Sequence, residues 1–344
     1  MKKFIRFSEI GQFRNTIRDV NHTAKFVGLD ENNDPIYKPN AKLPIVSFSG
    51  TVKLHGTCSS FCTDENEIWF QSRKRILTPE HDNYDFSLFC NSRIEILKNL
   101  LNKAKSLNNV NGGTISIFGE YCGQGIQSGV GISQLPKMLV IFAVKLTNGE
   151  NSIYLNPKNL SSPEHRIYNI YDFQTFSIDI DFSYPKVAQN KMVEFVEEVE
   201  KHCPVAKALG VTTGNVTGEG IVWIGNYKDQ RFVFKTKGEK HSISKVKTLK
   251  SVDVEKVNSV MEFVEYAVTE NRMNQAVEEL FISQNKEPTI KGMGDFLRWV
   301  VHDIAKEELD VLTKNYLTVK DVSKSISNKA RPWFQELLDK NVGL

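Results

Sequence analysis

No run of apolar residues in this chain approaches the roughly 20 needed to cross a bilayer, and the opening MKKFIRFSEIGQFRNTIRDV is broken by charge every few positions. The expectation is a chain with neither signal peptide nor membrane anchor, working in the cytoplasm. Cysteine is scarce: Cys58, Cys62, Cys90, Cys122 and Cys203 form no C-x-x-C pair and leave an odd one over. That argues against a disulfide framework or a zinc site and for reduced thiols. Excess charge of one sign is lacking as well, with 44 Lys+Arg against 41 Asp+Glu and a net charge of +3. Such a balance neither requires nor excludes nucleic acid, because a basic groove can hide in a nearly neutral total. There is no internal repeat and no low-complexity tract. No long heptad seam calls for a coiled-coil dimer, so a monomer is expected.

What is present is an ordinary globular composition, 40% hydrophobic and 25% charged, in 344 residues. A single core rarely grows past roughly 250 to 300 residues, so two domains are expected. The stretch GLDENNDPIYKPNAKLP reads as a loop, and everything before it as a lead-in to the strand IVSFSGTVKLHG. Further short strands are predicted at EIWFQSR, TISIFGEY, MLVIFAVKL, EGIVWIG and RFVFKTKG. Between them, FSLFCNSRIEILKNLLNKAKSL and KMVEFVEEVEKHC carry apolar residues at helical spacing. Strands with interspersed helices, lacking strict β-α-β alternation, predict an α+β domain with largely antiparallel sheets. Past about residue 245 the pattern turns helical, in VNSVMEFVEYAVTENRMNQAVEELF, GDFLRWVVHDIAKEELDVL and VKDVSKSISNKARPWFQELLDK. The expected division is 1–245 and 246–344, joined by the basic, polar GEKHSISKVKTLKSVDVEK, which is either a solvated linker, the favoured reading, or a contact for phosphates.

The chemistry starts at Lys53, inside a run of strand formers and two residues before His55 and Gly56. A neutral amine is a good nucleophile, but an ordinary lysine titrates near 10.4 and needs help to lose its proton. Nearby positive charge gives that help. Lys235 and Lys237 alternate with Thr236, so on a strand both point to one face. Two cations there either hold an anion or form a solvated edge that discourages aggregation. Glu120 follows TISIFG and Glu219 precedes IVWIG, each beside a glycine. Carboxylates at strand ends suit metal ions and ribose hydroxyls, although either could be a plain surface residue. Arg73 in FQSRKR has the geometry to grip a phosphate with two nitrogens, or to sit in solvent. Phe142 in MLVIFAVKL can stack on a base or belong to the core. The glycines of GQGIQSGVG lack the G-x-x-x-x-G-K-[ST] spacing of a phosphate loop.

In chain order these pieces read K-x-H-G, S-R, F-G-E, an apolar strand with its aromatic, E-G and K-x-K. In that order they resemble the covalent nucleotidyltransferases, and among them the RNA ligase 2 group of ATP-dependent polynucleotide ligases, which includes phage ligases and the RNA-editing ligases of kinetoplastids. IFGEYCGQGIQ is similar to that group's F-G-E-x-x-G-x-G-I-Q segment, and YAVTENRMNQAV and ARPWFQEL resemble its C-terminal helices. The resemblance implies a nucleotidyltransferase fold followed by a small helical domain. It implies that Lys53 forms a covalent lysyl-AMP, that Arg73 contacts the nucleotide or an RNA 5′-phosphate, and that Glu120 contacts the ribose or a metal-bound water. It further implies that Phe142 stacks on adenine, that Val52 and Leu54 line the pocket, and that Glu219 holds a divalent metal ion. Lys235 and Lys237 would neutralise the triphosphate, with His55 near the reacting phosphates. ATP and Mg2+, or Mn2+ in its place, are the implied cofactors, and RNA with 3′-OH and 5′-phosphate ends the implied partner.

Some positions depart from the group's pattern. Cys58 stands where asparagine is usual, Thr51 where a basic residue is common, and Ile224 where a lysine follows the motif glutamate. A thiol substitutes poorly for an amide that hydrogen-bonds phosphate. That keeps open a nucleic-acid-binding protein that has lost catalysis. DNA ligases and capping guanylyltransferases share the nucleophile but usually carry K-x-D-G and a β-barrel domain after the K-x-K strand, where this chain turns helical.

Overall fold

The computed structural model describes residues 2–38, 41–64, 66–238 and 260–341. The chain divides into two compact units, Met1–Gly238 and Glu239–Leu344. The segment read as a linker and the expected boundary at 245/246 fall almost wholly outside the described residues.

The first unit holds two main sheets. In one, the order of strands is Gly11–Gln12, Gln230–Lys237, Gly220–Tyr227, Ile45–Lys53 and Thr175–Asp181, antiparallel except at the short first pair. In the other it is Ile167–Asn169, Met138–Asn148, Thr114–Cys122, Thr57–Thr63 and Ile68–Ser72, with Asn151–Leu155 also pairing Met138–Asn148. Here only the Ile167–Asn169 pairing is parallel. The unit is α+β with largely antiparallel sheets, as the mixture of strand and helix patterns predicts. Every strand expected from the sequence is present.

Period-2 alternation decides what each sheet buries. In Ile45–Lys53, Val46, Phe48, Gly50 and Val52 are buried while Ile45, Ser47 and Ser49 are exposed. The buried face packs Phe48, Trp223 and Phe234 against Phe13 of the helix Phe13–Lys25 and Phe195 of the helix Pro185–Lys201. In the second sheet Phe61, Ile115, Ile117 and Tyr121 pack with Leu97, Leu100, Leu101 and Ala104 of the helix Ile94–Leu107. Each sheet therefore keeps its other face for something else.

Two regions differ from expectation. The opening segment is more than a lead-in: Phe13–Lys25 is a helix, and the polar stretch after it carries a hairpin, Phe26–Leu29 with Pro35–Tyr37. Phe13, Thr16, Val20 and Thr23 recur at helical spacing and are buried, but two of the four are threonines, which masks the stripe. The strand Thr57–Thr63, TCSSFCT, was not anticipated either. Its small polar residues do not announce a strand, yet it is the last but one in the second sheet, paired on both sides between Thr114–Cys122 and Ile68–Ser72.

The second unit is helical among its described residues: Val260–Ala267, Glu270–Leu280, Met293–Glu307, Leu309–Lys314 and Val319–Asn341 surround a core that includes Phe263, Phe296, Val300, Ile304 and Phe334. Thr269 caps the second of these helices, its side chain accepting from the Arg272 N–H. No helix among the described residues is long and apolar enough to cross a membrane.

Candidate active site

The turn Leu54-His55-Gly56 carries the chain from one sheet to the other, since Lys53 ends a strand of the first and Thr57 begins a strand of the second. Gly56 is required there because a Cβ would drive into the carbonyl oxygen of Tyr121. Lys53 is thus placed at the junction of the two sheets.

Register then assembles the charges. Gly220 lies opposite Lys53 on one side and Lys237 on the other. In an unbroken pleat Glu219 would share the core face of Ile221 and Trp223. Gly220 breaks the alternation with φ +153°, and a side chain there would strike the Thr236 carbonyl oxygen, so only glycine fits. The Glu219 carboxylate emerges between the two lysines: Lys53 Nζ donates to Oε2 at 2.6 Å, and Lys237 Nζ lies 3.0 Å from Oε1. His55 Nδ1 is 3.3 Å from Oε2. Glu219 is 2% exposed, against 21% for Lys53 and 14% for Lys237. Of the two strand cations expected to hold an anion, Lys237 meets the protein's own carboxylate and shares it with Lys53. Burial alone would raise the Glu219 pKa, but Lys53 and Lys237, with His55, hold it well below the usual carboxylate value.

Glu120 has the opposite setting. It accepts the Gly56 N–H at 3.0 Å and sits opposite Cys58 in the second sheet. Burial is the main cause that pushes its pKa up to about 7, with the Glu219 charge adding to the rise and Lys53 opposing it. Cys58 is pushed up to about 12 by burial and by Glu120, against the pull of Arg73 and Lys53. It is a neutral thiol at physiological pH, an unpromising nucleophile.

The remaining expected residues lie on or beside the strands of the same two sheets. Arg73 is exposed on a tight bend that the Arg75 carbonyl closes by accepting the Ser72 N–H, near enough to Cys58 for its charge to be felt. Lys235 shares the face of Lys237 and lies opposite Gln12 in register. Val52 and Leu54 are buried, Val52 on the core face opposite Ile221, so Val52 presents only backbone to the side of Lys53. Phe142 is half-buried at a register shift in the Met138–Asn148 strand and packs on Phe7, Phe118 and Ala143. Phe7 and Gln71 fasten the N-terminal segment to this face and are not singled out by the sequence: Phe7 is remote from every motif, and Gln71 lies within FQSRKR, where only Arg73 stands out. The glycine-rich loop after Glu120 is scaffold: the Gly131 N–H donates to the Thr217 carbonyl at 2.7 Å, bracing the approach to Glu219. Ile224, where a lysine was looked for, is half-buried opposite Ser49.

Among the described residues no group of three His, Cys, Asp or Glu side chains is placed to hold a metal ion unaided. The donor set fits an ion that keeps several waters and takes one or two carboxylates plus substrate phosphates, as Mg2+ does. A cation beside Glu120 and Glu219 would relieve the repulsion that contributes to raising Glu120.

Among solved structures, the chain is similar to a Naegleria gruberi RNA ligase with PPi, at 15% identity and a TM-score of 0.43, over 70% of this chain and 58% of that one. Mutant forms of the same ligase with AMP and Mn and with ATP and Mn match over the same shares, at 14% and 16% identity and TM-scores of 0.43. The chain therefore spans less than two thirds of the solved relatives it matches. Among curated protein sequences none matches. The model of the RNA ligase family matches residues 46–247, more than half of the chain and every residue from Lys53 to Lys237, and on that match the chain belongs to the RNA ligase family.

Proposed function

We propose that this chain is an ATP-dependent RNA ligase of the RNA ligase 2 type, a monomer that seals 3′-OH/5′-phosphate nicks in duplex RNA or RNA–DNA hybrid. The observation that carries the reading is Lys53, a partly exposed amine sharing one buried carboxylate with a second lysine at the junction of two sheets. An ammonium that is merely structural gains nothing from a like charge beside it. A nucleophile that must meet a polyphosphate does.

In the first step the Lys53 ammonium gives up one proton to solvent and its Nζ attacks the α-phosphorus of ATP in line. A P–N bond forms, the bond to the bridging oxygen breaks, pyrophosphate leaves and the amine proton goes to solvent. Lys237 and Lys235 meet the phosphate charge, and His55 lies beside them. In the second step an oxygen of the RNA 5′-phosphate attacks that phosphorus and the P–N bond breaks, returning the lysine. In the third the 3′-hydroxyl attacks the RNA phosphorus, AMP departs and the strand is closed. All three are displacements at phosphorus, so positioning and charge neutralisation dominate the barrier. Arg73 is assigned to the nucleotide or the RNA 5′-phosphate, Glu120 to the ribose or a metal-bound water, and Phe142 to the adenine ring. Glu219 would hold a Mg2+ or Mn2+ ion, which would neutralise charge developing on the phosphates.

The test is intact-mass spectrometry of the full chain with ATP and Mg2+. An AMP adduct that maps to Lys53 is expected. Absence of any adduct would sink the ligase reading in favour of a binding module, and an adduct formed from GTP alone would point to a capping-type enzyme.

A further inference from the structure

The N-terminal segment runs from one sheet to the other beside the proposed site. The Ile5 N–H donates to Gln71 Oε1 at 3.1 Å and Gln71 Nε2 donates back to the Ile5 carbonyl at 2.6 Å, with Gln71 1% exposed. Lys145 Nζ donates to the Arg6 carbonyl at 3.0 Å, and the Ser8 N–H donates to the Tyr154 hydroxyl at 3.1 Å. Three residues later Gly11 and Gln12 join the first sheet opposite Phe234 and Lys235. The segment is fastened to the sheet of Glu120 and to the sheet of Lys235.

Between those fastenings Phe7 lies on the free face of the second sheet. Its ring is 5.1 Å from Phe118, 5.2 Å from Phe142 and 5.9 Å from Tyr154, centroid to centroid, and meets Phe142 nearly edge-on at 69°. The cluster also includes Cys58, the residue opposite Glu120. Phe142 sits at the register shift between Phe118 and Gly119, where the ladder holds it less firmly than its neighbours. The second side-chain torsion of phenylalanine is broad, so a ring that must receive a base needs its plane set from outside. An edge-on aromatic neighbour does this.

We infer that Phe7 is a positioning residue for the purine base: it fixes the plane of Phe142 and closes the back of the base site from a segment remote in sequence from every ligase motif. The inference rests on the reading of Phe142 as the ring that stacks on adenine. With the full chain, initial rates of lysyl-AMP formation are measured against ATP concentration, alongside thermal melts. Phe7→Leu keeps apolar volume and loses the ring edge, so KM for ATP should rise about three- to tenfold, the range of an aromatic pair, with kcat nearly unchanged. Phe7→Tyr should restore the wild-type KM, and Phe142→Ala should raise KM at least as far as Phe7→Leu. A lower melting temperature in Phe7→Leu with KM unmoved, or a loss confined to kcat, would assign Phe7 to the scaffold alone and overturn the inference. A smaller KM effect in Phe142→Ala than in Phe7→Leu would overturn it too, by putting the base on Phe7 itself. A wild-type protein that forms no lysyl-AMP sinks the underlying ligase reading instead, and is told apart by needing no variant.

Discussion

Each unit of this chain buries a cluster of charges, and the two clusters are built to opposite plans. In the helical unit Arg272 is fully buried, and its planar guanidinium donates to Asp303 Oδ2 at 2.8 Å, to Glu308 Oε1 at 3.3 Å and to the Ala267 carbonyl, while the Tyr266 hydroxyl donates to Glu308 Oε2 at 2.8 Å. One cation meets two carboxylates in a fixed geometry, and Glu308 is 1% exposed. In the first unit one carboxylate serves two flexible, partly exposed ammoniums, so the positive charge is in excess. A planar fork with its donors satisfied suits a scaffold. A pair of point charges sharing one anion can exchange that anion for a phosphate. On the proposed ligase reading, the difference would separate charge that holds the fold from charge that meets a phosphate.

The sharpest way to break that contrast is to delete one cation from each cluster. Lys53→Ala should abolish lysyl-AMP formation outright while costing only about 1–3 kcal/mol of stability, because Glu219 keeps Lys237. Arg272→Met should do the reverse, taking the guanidinium away from buried Glu308 and half-buried Asp303 and lowering the stability of the helical unit by about 3–5 kcal/mol. Adduct mass and denaturant melts read both variants, and a Lys53→Ala protein as unstable as Arg272→Met would erase the distinction.

Within the first unit the two carboxylates should part company as pH changes. Glu219 has a lowered folded pKa, so its stabilisation is present above its unfolded value near 4.5 and is lost as pH falls through the folded value. Glu120 is raised to about 7, so its contribution is complete below about 4.5 and fades as pH rises through 7. Glu120→Gln should therefore gain on wild type by a few degrees in Tm between pH 5 and 8, at about 2–4 °C per kcal/mol. A difference that does not change with pH would show that Glu120 is not held protonated by its surroundings. The smallest effect is expected at Cys58, where a neutral thiol faces Glu120. Cys58→Asn should raise sealing of a pre-adenylylated nick several-fold by supplying an amide donor, and an unchanged rate would mean this position does not limit sealing.

Much of the site was legible because its residues lie in short runs with strong local signals. The alternation of Lys235 and Lys237 about Thr236 placed both on one face, and the family order of K-x-H-G, F-G-E and E-G linked segments that no local rule connects. What escaped the reading was whatever depends on a partner strand. Thr57–Thr63 is a strand because Thr114–Cys122 and Ile68–Ser72 flank it, not because Ser and Cys favour extended chain. The Phe13–Lys25 helix was hidden by threonines on its buried stripe, and Phe7 by its distance from every motif.

By itself the sequence determined the division into a mixed sheet-and-helix part and a helical part and the strand positions of the charged residues. These follow from periodicity and residue type, which act over a few positions. Only the tertiary structure decided that Glu219 turns out of the core at Gly220 to sit between Lys53 and Lys237, that the pKa of Glu120 is raised while that of Glu219 is lowered, and that Phe7 backs Phe142. Each of these depends on register and burial, and both are set by which strands become neighbours.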